Sequence, residues 1–103
     1  MNPGRELDAK IHDKIFGQPG WYHFEHGVAD ESLPHYSTDI ADAWLVVEKM
    51  KSKSFELFLH STVHEEISAS FNDKRKDKYA EFKSKTAPHA ISLAALKACG
   101  VEA

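Results

Sequence analysis

The 103-residue chain contains one cysteine, four prolines, five glycines and two methionines. A single cysteine excludes an internal disulfide framework. Its place in the Ala/Leu-rich stretch before Gly100 makes Cys99 a packed thiol rather than a nucleophile. So little proline and glycine excludes a low-complexity or collagen-like chain. No apolar run approaches the roughly 18 residues of a membrane span, and the N-terminus lacks the basic-then-apolar plan of a signal peptide. No membrane partner is therefore expected, and the protein is expected inside the cell. Neither sign of charge dominates: 13 basic against 16 acidic side chains leave a net charge of −3. That balance argues against a chain built to neutralise a nucleic-acid backbone. Repeats and linkers are missing too, so the expectation is one domain over residues 1–103, long enough to bury roughly 65% of its unfolded surface without a metal or other cofactor.

What is present is periodicity. Asn2 and Pro3 offer a helix start, and Leu7, Ile11 and Ile15 then place an apolar stripe on a short helix that Gly17 ends. Trp21-Tyr22-His23-Phe24-Glu25-His26 is dense in aromatics and reads as extended. The stretch from Gly27 to Tyr36 has loop composition, and loops of that length often carry function. Ser37-Thr38-Asp39 supplies two hydroxyls and a carboxylate at a helix start, with Ser37 and Thr38 as caps and Asp39 complementing the positive helix end. Ile40, Ala43, Trp44, Val47 and Met50 form the apolar face of that helix. From Ser54 the period changes to two: Phe55, Leu57 and Leu59 lie on one side, with Glu56, Phe58 and His60 on the other. Ile67, Ala69 and Phe71 repeat the pattern, predicting a hairpin that turns within Ser61 to His64. Tyr79 to Phe82 is a third strand candidate. Thr86-Ala87-Pro88 reopens a helix that is apolar almost all round, so it should be buried, and Gly100 should stop it.

Three stretches together resemble the small phage and prophage proteins of the phage ABA sandwich domain family. They are Asn2-Pro3-Gly4-Arg5-Glu6-Leu7-Asp8, Pro34-His35-Tyr36-Ser37-Thr38-Asp39-Ile40 leading into Ala43-Trp44 and Val47-Glu48-Lys49, and Thr86-Ala87-Pro88-His89-Ala90-Ile91 leading into Ala94-Ala95-Leu96. The resemblance implies an α/β (α+β) sandwich, with about three helices packed on a small, mainly antiparallel sheet of three to four strands. It also implies a phage or prophage source, hence the host cytoplasm as location. The middle of the chain departs from the family, with a Phe-rich strand pair and the turn Lys74-Arg75-Lys76-Asp77-Lys78 where relatives look to carry tryptophans. The resemblance brings no catalytic residues with it.

Seven histidines are the unusual number in the composition. His23, His26 and Glu25 with His35 and Asp39 contain ligand types suited to zinc. An extended Trp21 to His26 would, however, point His23 and His26 to opposite faces, so no metal is assigned. His35, Ser37, Thr38 and Asp39 invite a hydrolase reading, but helix capping is the simpler account of the last three. Free N–H groups at two helix starts would suit an anion. If the starts share a sheet edge, His35, Tyr36, Ser37, Thr38, Thr86 and His89 would rim a pocket for an anionic small molecule such as a nucleotide signal, a counter-defence role. Exposed aromatics among Trp21, Tyr22 and Phe24 would instead make a protein-contact patch. The reading placed first is an accessory protein, monomeric or homodimeric, that binds a host or phage protein through Trp21 to Phe24 or the loop to Tyr36, without catalysis. Anion capture comes second, and a metal-dependent or Ser/His hydrolase last.

Overall fold

A ten-residue helix can form near the N-terminus because Leu7, Ile11 and Ile15 recur on one side, and all three are buried. A computed structural model places this helix, α1, at Arg5–Lys14 and describes residues 1–17, 33–61, 63, 65–76 and 78–101. Gly4, rather than Asn2, occupies the cap position. Its φ of 150° lies in a region essentially closed to residues with a Cβ.

Helix α2 spans Ile40–Ser52 and starts at Asp39, whose Oδ1 accepts from the N–H groups of Ala41 and Asp42 at 2.8 and 3.2 Å. The carboxylate therefore takes the capping role expected of Ser37 and Thr38. Its core face is Ala43, Val46, Val47 and Met50. Ile40 and Trp44, expected on that face, stand on its shoulder with about half their surface exposed.

Strands β1 (Phe55–Ser61), β2 (Ile67–Asp73) and β3 (Lys78–Ser84) form an antiparallel meander in the order β1-β2-β3. The register aligns Leu57 with Phe71 and Ala80, and Leu59 with Ala69 and Phe82, so large and small side chains alternate on the core face. The opposite face carries Glu56, Phe58, His60, Tyr79 and Lys83, all exposed.

Helix α3 (Ala87–Ala98) is buried from Ala90 through Leu96 and packs against β2, β3 and both other helices. Each large aliphatic side chain fully buried there contributes roughly 1.5–3 kcal/mol. Its end is a Schellman motif: Gly100, at φ 78°, donates to the Lys97 carbonyl, and Val101 donates to that of Leu96. The result is an α+β sandwich of three described helices against a three-stranded sheet.

Candidate functional site

Of the residues singled out between His35 and Asp39, Ser37 belongs to a polar clamp at the start of α1 and Tyr36 packs beside it. Asp8 is fully buried on α1. Its Oδ2 pairs with Arg5 Nη1 at 2.9 Å, and its Oδ1 accepts from the Ser37 hydroxyl at 2.6 Å and the Ser37 N–H at 2.8 Å. The same hydroxyl accepts from Gly4 N–H at 2.9 Å, so Ser37 satisfies one of the unpaired N–H groups at the start of α1 from 33 residues away. Arg5 Nη2 also donates to the Leu33 carbonyl at 2.7 Å. A carboxylate held by a guanidinium, a hydroxyl and an amide is the arrangement that lets a charge stay buried.

Tyr36 fills the next position inward. Its hydroxyl lies 2.9 Å from His12 Nδ1, its ring stacks on Phe16 at 5.2 Å, and its carbonyl accepts from Ser92 on α3 at 3.1 Å. Burial, reinforced by the nearby charges of Asp42 and Asp8, pushes the phenol up to about 12. His35 and Thr38 remain exposed. The N–H of His35 donates to Asp42 Oδ2 at 2.8 Å. The start of α2 is thus occupied by its own chain, with two carboxylates beside it.

Thr86 sits at the N-cap of α3 without a side-chain cap bond. His89, one turn further, bridges Ser84 Oγ at 2.5 Å through Nδ1 and the Met1 carbonyl at 2.7 Å through Nε2. In the neutral ring, Nε2–H donates to Met1 and Nδ1 accepts the Ser84 hydroxyl proton. Among the described residues, no hydrogen bond, ion pair or ring contact joins His35, Tyr36 or Thr38 to Thr86 or His89, and no group of three His, Cys, Asp or Glu side chains could hold a metal. Trp21, Tyr22 and Phe24 lie outside the described residues. Cys99 is half-buried with its thiol 3.9 Å from Met50 Sδ, and burial pushes its pKa up, away from a reactive thiolate.

Two surface features were not foreseen. The first is an apolar groove of about 430 Å³ between α2 and β1, walled by Trp44, Val47, Phe55 and Leu57. Elsewhere on α2 and β1 the large side chains Ile40, Leu45, Phe58 and Leu59 are exposed, with Phe58 on the opposite face of the sheet from the groove. The second is a groove of about 600 Å³ at the same end of the sheet, sharing Phe55 with the first, where Lys53, Arg75, Lys76, Lys78 and Lys97 converge. Asp73 lies within it, its carboxylate held below the usual range chiefly by the Arg75 N–H and by neighbouring cations.

The phage ABA sandwich domain family matches residues 10–96. The chain belongs to that family. A 2.0 Å crystal structure of a phage protein from Bacillus cereus ATCC 14579 is similar over 100% of this chain and 92% of the other, with a TM-score of 0.79 and 26% identity. Among curated proteins, none matches the chain. The stretch Gly4 to Asp8, just before the residues matched to the phage ABA sandwich domain, and Ser37 within them are the two sides of one clamp. Asp8, expected largely outside the apolar stripe of α1 with the other charged residues there, is instead fully buried. At about 100° per residue it lies only about 20° from Ile15 on the helical wheel, inside the buried face.

Proposed function

We propose that this domain works as a phage accessory protein in the host cytoplasm, binding a host or phage protein without catalysis. The supporting observation is the run of large apolar groups left in solvent along α2 and β1. Trp44, 47% exposed, walls a preformed apolar groove, and Leu45 and Phe58 on the same two elements are 47% and 53% exposed. Aromatic side chains beside a groove are the usual anchors of a protein interface. A photo-crosslinking amino acid placed at Leu45, in cells making the protein during infection, should yield a discrete protein adduct. The same probe at Lys83 should not. Equal labelling from both positions would overturn the reading.

A second reading, capture of an anionic small molecule such as a nucleotide signal, draws on the basic groove. Lys53, Lys76 and Lys78 make no ion pair among the described residues, which leaves their charge available to a phosphate. Nucleotides at millimolar concentration should then raise the melting temperature. The rise should vanish in Lys76→Ser, Lys78→Ser protein, and no rise with any nucleotide would remove this reading.

A further inference from the structure

The two edges of the sheet differ in a way that identifies an occupant for the first of these surfaces. β3 carries Lys78 and Lys83 within its length, and lysine on an edge is a common guard against strand pairing. β1 has neither lysine nor proline. Its seven residues pair with β2 in unbroken register, so no bulge turns the edge away. Phe58, Leu59, His60 and Ser61 are all exposed, although successive residues point to opposite faces. A long, regular, apolar edge of this kind is a template for another strand.

We infer that the strand it receives is β1 of a second copy, added antiparallel about a twofold axis through Phe58. The inference rests on the reading of the α2–β1 face as a protein-contact surface. A twofold axis perpendicular to the sheet keeps both core faces on one side, which requires paired positions to share a face. Phe58 is the midpoint of β1, so this register pairs the whole strand. It sets Phe58 against its symmetry mate and Leu57 against Leu59 of the second copy. It also sets the Glu56 carboxylate, whose Oε2 pairs with Lys74 Nζ at 3.0 Å in its own chain, against the His60 imidazole, so that its other oxygen is an acceptor facing a donor, twice per dimer. Moving the axis to Leu57 would place Glu56 opposite Phe58, and moving it to Leu59 would place His60 there. On the core face the incoming Leu59 lies beside Leu57, at the groove walled by Trp44. On the other face the two Phe58 rings meet. Charge, face and length thus all match in a copy of this chain.

Sedimentation of the purified full chain from micromolar to millimolar concentration should show a monomer–dimer equilibrium. Glu56→Lys alone and His60→Glu alone each place like or mismatched groups across the axis and should weaken the dimer about tenfold or more. The double variant Glu56→Lys, His60→Glu restores opposite charges and should recover most of the loss. Both positions are exposed, and thermal melts should confirm that all three variants remain folded. A monomer at every concentration, or a double variant no better than the worse single one, would overturn the inference. A monomer that still gives a specific adduct from Leu45 would overturn only the second copy and leave the contact-surface reading standing. A monomer with no adduct would remove both.

Discussion

At the clamp of Gly4, Arg5, Asp8 and Ser37 each buried polar group has a partner, whereas along β1 and the shoulder of α2 large apolar groups face water. The first region follows the rule for interiors: among the described residues no buried side-chain nitrogen or oxygen lacks a hydrogen bond. The second departs from the rule for surfaces, on which wide apolar patches mark contact sites. The difference teaches where to look for function. Ser37 and Tyr36, which suggest chemistry in the sequence, hold the fold together here, and Ile40 and Trp44, counted on the core face of α2, stand half exposed.

Substitutions should separate the two regions by the size of their effects on stability. Removing the carboxylate in Asp8→Ala takes the buried counter-charge from Arg5, strips the Ser37 amide of its acceptor and leaves the Ser37 hydroxyl only the Gly4 carbonyl at 3.1 Å. A loss of about 3 kcal/mol or more is expected in urea denaturation, and a loss below about 1 kcal/mol would mean that the clamp is not the principal tie. Gly4→Ala meets no neighbouring atom at the added methyl group. It must still force φ 150° on a residue with a Cβ, so it should cost about 1–3 kcal/mol. Tyr36→Phe removes the hydrogen bond to His12 and should cost about 1 kcal/mol.

Tyr36 also gives the clamp a pH signature. The folded phenol is raised from 10.0 to about 12, so the folded state holds this proton more tightly than the unfolded one. That contribution is complete below the unfolded value and is lost as pH rises through the folded one. Stability of the wild type should therefore fall across this alkaline window more steeply than that of Tyr36→Phe, and parallel curves would show that the phenol titrates alike in both states. The smallest effect belongs to the open side. Leu45→Ser should change stability by less than about 0.5 kcal/mol and yet reduce any protein adduct formed at neighbouring α2 positions. A large destabilisation there would place Leu45 in the core and collapse the contrast.

Elements with a regular period were legible in the sequence. The period-two runs around Leu57 and Ala69 become a hairpin, Tyr79 to Phe82 falls in the third strand, and Gly100 stops α3 as its neighbours suggest. Less legible was anything joining distant residues. Ser37 beside Thr38 and Asp39 looks like a local cap, and only the fold reveals that its partner is Asp8, 29 residues earlier. Trp44 was misplaced for a related reason. On the α2 wheel it lies about 60° beyond Val47, close enough to count as core by spacing but turned toward a groove that exists only once β1 is beside it. The basic groove hides in the same way, because Lys53 and Lys97 are far in sequence from the Lys74 to Lys78 turn that they join.

The meander has a consequence for the order of events. β1, β2 and β3 pair as consecutive hairpins, so the loops that must close to form the sheet are short. Ser37 and Asp8 close a much longer one, which favours the sheet as the earlier structure. An interaction made after the rate-limiting step leaves the folding rate almost unchanged and appears in the unfolding rate. In stopped-flow experiments, Asp8→Ala should therefore fold about as fast as the wild type and unfold far faster. The clamp would then act as a latch that sets how long the folded molecule lasts.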